Sequence, residues 1–150
     1  MFAARFILAF HYSAHRRLFS QEYNILNQWT EWVLAPVFGI PCGTYTTHHC
    51  VMHHREDNGE WDLSSTEPYQ RDNFLHFLVY WLRHAILIHV ELPMYCVRRK
   101  RWDLLAKLVF GAVLYFYAIG KLRAYAPVQT LWICIIPYIF TSFVLMFGNW

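Results

Sequence analysis

Charge is scarce in this sequence. Only 15% of its 150 residues are Asp, Glu, Lys or Arg, against about 25% in ordinary soluble domains, while 57% are hydrophobic and 19% aromatic. With a mean hydropathy of +0.20, this is the composition of a membrane protein. The net charge of +3 is small, and its basic residues are clustered, which suits anionic headgroups and excludes a nucleic-acid face. Paired cysteines are also missing. Cys42, Cys50, Cys96 and Cys134 form no Cys-x-x-Cys unit, so a disulfide framework or thiolate zinc site is not expected and free thiols are. Residues 2–10 are apolar, but no small-residue cleavage pattern follows, so they are read as the end of a span and not as a cleaved leader.

Long uncharged runs are few, and they decide the topology. Residues 128–148 carry no charge, are interrupted only by Pro137, and are long enough to cross a bilayer. Residues 104–120 form a second candidate, with Lys107 near one end, where a long side chain can snorkel to the interface. The short segment from Lys121 to Pro127 between them predicts a tight antiparallel hairpin over about 104–148. Trp32 to Tyr45 contains Pro36, Gly39, Pro41 and Gly43, breakers that predict a re-entrant or interfacial segment. Phe74 to Val97 contains Arg83, His84, His89, Glu91 and Pro93, and is read as an interfacial amphipathic helix. The expected fold is an all-α membrane protein: a transmembrane hairpin plus interfacial helices. The basic run Arg98-Arg-Lys-Arg101 places its end of the hairpin in the cytoplasm.

Histidine is what the chain has in abundance, nine in all, and six of them fall in two clusters: His11-Tyr-Ser-Ala-His15 and His48-His49-Cys-Val-Met-His53-His54. On an α-helix, residues four apart share a face, so His11 with His15, and His49 with His53, can each aim two imidazoles at a common centre. His54 stands about 100° further round, in a position to bridge toward a neighbouring metal. Neutral nitrogen donors favour iron, zinc, copper or nickel over calcium or magnesium. His48 is a spare ligand or a partner behind the ligands. In the polar stretch that follows, Glu56, Asp57, Glu60 and Asp62 are candidates to hold the outer ring nitrogens. His76, His84 and His89, at spacings of eight and five, stack on no common face and are read as interfacial or core residues.

Residues 11–73 resemble the membrane fatty acid desaturases, whose members carry a His-x-x-x-His box and a second box of His-x-x-His-His type. His11 and His15 match the first. The second reads His49-Cys-Val-Met-His53-His54, one residue longer than the commonest form, and Asn58-Gly, Asp62-Leu-Ser-Ser-Thr66 and Tyr69-Gln-Arg-Asp72 resemble one branch of that family.

The resemblance implies a partial desaturase-like fold with metal ligands His11, His15, His49, His53 and His54, two iron ions, and dioxygen as co-substrate. It also implies electrons from cytochrome b5 or ferredoxin, and a membrane lipid or acyl thioester as substrate. The expected location is the endoplasmic reticulum or a chloroplast membrane, with the histidines facing cytosol or stroma. The family's third histidine box has no counterpart after His89, so the chain is expected to be a fragment that does not desaturate by itself. A related lipid hydroxylase, or a non-enzymatic membrane protein holding zinc or copper, is the alternative.

Overall fold

A computed structural model describes residues 2–150, with side chains from Arg5 onward. All regular structure among the described residues is helical. The first helix, α1 (Phe2–His15), carries the first histidine cluster on its last two turns. A 3-10 segment (Gln21–Gln28) and a π-helical turn (Thr30–Leu34) lead into a broken stretch. Here Gly39 and Gly43 take φ of +85° and +81°, a backbone that residues with a Cβ rarely adopt. Ala35, Ile40, Cys42 and Tyr45 are buried in or beside this turn, as expected for a segment folded back on itself.

Residues 44–56 form a single helix, α2, whose centre (Thr47–His53) is π-helical. Asp57 and Asn58 then take positive φ, which short polar side chains tolerate better than most, and α2 stops there. The long α3 (Phe74–Arg98) is capped by Asn73, whose side chain accepts from the amides of Leu75 and His76. Two further helices, α4 (Trp102–Tyr125) and α5 (Pro127–Asn149), are long and apolar enough to cross a membrane. Only 17% and 22% of their most apolar windows are buried. Core helices of a soluble protein would be mostly covered, so these apolar flanks are suited to lipid.

The packing departs from the expected tight hairpin. The chain does reverse between α4 and α5, but at Ala126 alone (φ −142°, ψ 74°). Residues 121–125 are good helix formers and continue α4, and the break comes only before Pro127, which disfavours helical backbone at the residue preceding it. The two arms meet mainly near the turn, and each packs instead on α3. Phe77 meets Phe143 and Phe147, Trp81 Nε1 donates to Ser142 Oγ, and His89 lies against Tyr138, so α3 and α5 run antiparallel. On the other side, Leu104, Leu105 and Leu108 of α4 join Leu92, Tyr95 and Cys96 of α3.

An interfacial helix over 74–97 should show water a polar stripe. Instead, every exposed residue from Phe74 to Val97 is apolar, while His84 is buried and Arg83 is paired with Glu91 at 3.2 Å. The residues that looked costly in a membrane are turned inward or neutralised. Lys107 does not snorkel either: its Nζ lies 2.5 Å from Oε2 of the buried Glu31.

Candidate metal centre

The π-helical centre of α2 determines how the second histidine cluster is displayed. A π-helix closes its hydrogen bonds five residues apart, so its turn is wider than that of an α-helix. His54, five residues after His49, therefore lies beside it: their ring centres are 4.6 Å apart and their Nε2 atoms 3.3 Å apart. The α-helical expectation paired His49 with His53 on one face and placed His54 about 100° further round, as a ligand bridging toward a neighbouring metal. In the structure His54 joins His49, while His53 turns toward the polar loop.

The end of α1 supplies the rest of the group. His15 Nε2 lies 3.1 Å from His49 Nε2 and 3.3 Å from His54 Nε2. His11 adds a ring nitrogen within 4.8 Å of those of His15 and His49, and its Nδ1 contacts the Tyr45 hydroxyl at 3.1 Å, which fixes the ring. A metal–nitrogen bond of about 2.0–2.1 Å places neighbouring donors about 2.9–3.4 Å apart, and the three Nε2 separations fall within that range. Protons cannot satisfy this triangle. Each neutral imidazole nitrogen is either a donor or an acceptor, so among three mutual neighbours at least one pair must be two donors or two acceptors. A cation at the centre takes all three lone pairs at once.

Burial and neighbouring imidazoles favour the neutral, ligating form of His49, His11 and His54. His49 is pushed down to about 3, by desolvation first and then by His11, His54, His53 and His15. His11 and His54 are lowered for similar reasons. His53 goes the other way. Its Nδ1 lies 2.6 Å from Asp62 Oδ2 and 3.1 Å from Ser64 Oγ, and the hydrogen bond to Asp62 raises its pKa. Burial pushes the Asp62 carboxyl up, but hydrogen bonds from His53 and Ser64 outweigh it and bring it down to about 2. With Nδ1–H given to a carboxylate, His53 keeps Nε2 free as a donor, the usual arrangement behind a metal-bound histidine.

The loop motif is the scaffold for that carboxylate. Asn58 N donates to Asp62 Oδ2, Ser64 N and Oγ donate to Oδ1, and Thr66 N donates to the Asn58 side chain. Tyr80 and Asn149, from α3 and α5, both donate to the Ser64 carbonyl and clamp the loop to the helices. The other acidic candidates do not touch a histidine. Glu56 accepts from Tyr95 and pairs with Arg99 at 2.7 Å. Asp57 forms the exposed left-handed stop of α2, and Glu60 is exposed.

The histidines open on a cavity of about 310 Å³ whose far walls are apolar, with Ile7, Ile40, Ile88, Leu145 and Met146 among them. His11, His49 and His53 line it, and so do His48, His84 and His89. Sequence reasoning set His84 and His89 aside because it compared histidines only with one another. Registered against the buried stripe of α3, with Phe77, Tyr80 and Ile88, His84 falls on the inward face.

A helical membrane protein with a polyhistidine, metal-competent centre at one end of an apolar cavity is thus the class that the fold and site define. The family model of fatty acid desaturases matches residues 1–150, and the chain belongs to the fatty acid desaturase family. No curated protein and no solved structure matches it.

Proposed function

We propose that this chain forms the metal-binding and acyl-contacting part of a lipid desaturase with a di-iron centre. The observation that carries this reading is the convergence of His15, His49 and His54 Nε2, at 3.1–3.3 Å from one another, beside an apolar cavity. In the overall reaction two hydrogens leave adjacent carbons of an acyl chain and the C–C bond becomes double. These hydrogens, two further protons and two electrons reduce one dioxygen to two waters. The electrons come from a carrier of the cytochrome b5 or ferredoxin kind.

Iron, when bound, supplies the redox chemistry that breaking an unactivated C–H bond requires and no side chain provides. His11, His15, His49 and His54 are the residues that would hold it, with His53 beside them, steadied by Asp62. The apolar walls align an acyl chain toward these nitrogens and keep bulk water from it. A common cytosolic or stromal face for both clusters and the basic run is supported by the Arg99–Glu56 pair, which ties that run to the end of α2 two residues beyond His54.

The test is the metal content of the protein purified in detergent, together with the lipid profile of cells that express it. Iron should co-purify, and His49→Ala or His54→Ala should remove most of it. Zinc retained to the exclusion of iron would overturn the desaturase reading. A hydroxylated lipid in place of an unsaturated one would move the chain to the related hydroxylases.

A further inference from the structure

One side chain outside the histidine clusters touches histidines of both. Tyr45 stands on the first turn of α2, two residues after Gly43, whose φ of +81° turns the chain into the helix. Its hydroxyl lies 3.1 Å from His11 Nδ1, and its ring stacks on that of His49 at 5.1 Å between centres and 21° between planes. The remaining contacts lock it in place. Phe10, next to His11 on α1, packs on the ring at 4.4 Å between centres. Ala35 and Ile40 of the broken segment complete the cluster, so that Tyr45 is only 6% exposed. A side chain locked by packing in this way can hold a ligand to within about 0.5 Å.

The two clusters are supported differently. A ligating imidazole commonly gives its second ring nitrogen to a carboxylate, a carbonyl or water. Asp62 plays that part for His53, and it is the one carboxylate in contact with a histidine among the described residues. His11 meets a phenol instead. A neutral imidazole carries a single N–H. Were the Tyr45 hydroxyl to donate to Nδ1, the His11 hydrogen would sit on Nε2 and no lone pair would be left for a metal. With Nδ1–H donating to the Tyr45 oxygen, Nε2 is free to ligate. A phenol orients the ring without placing a negative charge behind the metal, as Asp62 does.

We infer that Tyr45 is a positioning residue for the metal centre: its oxygen accepts from His11 Nδ1–H and so sets the tautomer that presents Nε2, while its ring steadies His49. The inference rests on the metal-centre reading above. It adds a residue that belongs to neither histidine cluster and acts through their imidazoles without binding metal itself.

Tyr45→Phe keeps the ring and its packing and removes only the oxygen, so metal affinity tests the inference without an activity assay. The full chain in detergent, stripped with a chelator, is titrated with cobalt(II) against a competing chelator. Tyr45→Phe should bind cobalt about 10-fold or more weakly, the scale on which partners behind metal-bound histidines act. The loss should vanish in a His11→Gln background, because the two side chains work through one bond. A lower melting temperature with unchanged cobalt affinity, or an equal loss of affinity with and without His11, would overturn the inference and leave the metal centre standing. No cobalt binding by the unaltered chain would overturn both. Should Tyr45→Phe lose its melting transition, proton resonance on the cobalt-loaded unaltered chain decides. A paramagnetically shifted imidazole N–H that exchanges slowly with water and cross-relaxes with the Tyr45 ring supports the inference, and its absence refutes it.

Discussion

His53 Nδ1 stands 2.6 Å from Asp62 Oδ2, and Asp62 is 1% exposed in a loop whose amides and hydroxyls hold its carboxylate in place. A carboxylate behind a ligating histidine typically contributes 10–100-fold to metal affinity. Asp62→Asn keeps the shape and removes the charge, so metal affinity should fall by about 10–100-fold. Chelator competition measures this, and an unchanged affinity would show that His53 is not a ligand.

Acidification should destabilise the metal-free protein. The folded values of His49 and His48, about 3 and about 4, lie below the unfolded value of about 6.5. The unfolded chain therefore takes up these protons first, and stability is lost as pH falls from about 6.5. Asp62, lowered to about 2, adds stability above the unfolded value of about 3.9 that is lost below it. His53, raised by Asp62, works oppositely: its contribution is full below about 6.5 and is lost as pH rises through its folded value. Two histidines outweigh one between pH 6.5 and 4, so the melting temperature should fall across that interval. A rise there would mean that the His53–Asp62 pair dominates.

Gly111→Ala sets helix propensity against packing. In an open helix the change stabilises by about 1 kcal/mol. In α4 the added Cβ would overlap the carbonyl of Cys42, in the broken segment leading to α2. Backbone cannot yield as a flexible side chain does, and overpacking costs about 1–3 kcal/mol. The variant should therefore melt lower than the parent protein, whereas Gly120→Ala, with open space around its Cβ, should not.

Lys107→Met leaves Glu31 buried without its cation. Breaking such a pair from one side costs about 3 kcal/mol when the remaining charge stays buried, whereas replacing both partners by apolar residues is often neutral. Lys107→Met should thus lower the melting temperature markedly, and Glu31→Leu with Lys107→Met should restore most of the loss. Equal melting of single and double variants would place the pair in effectively aqueous surroundings.

Helical class, the two long apolar helices and the two histidine clusters were legible from residue order because each is a local pattern: runs of apolar residues, or imidazoles repeated within a turn or two. The broken stretch around Gly39 and Gly43 was legible for the same reason. What failed were distances set by something non-local or by an unusual helix. The π-helical turn over 47–53 made His54, not His53, the close neighbour of His49, because a wider turn brings residues five apart together. Lys107 found Glu31 across 76 positions, a partner that no window of sequence contains.

Residue order determined that this chain would be helical, would carry apolar spans, and would own the donors for a nitrogen-ligated metal. Tertiary structure alone decided which donors meet. Packing α1 against the end of α2 brought His15 to His49, and packing α3 between α4 and α5 carried His84 to His48, while the loop clamped by Tyr80 and Asn149 selected Asp62 from four nearby acidic residues. The physical reason is that ligand geometry depends on distances of a few ångströms between separate helices. Those distances follow from side chains filling a shared interior, not from spacing along any one of them.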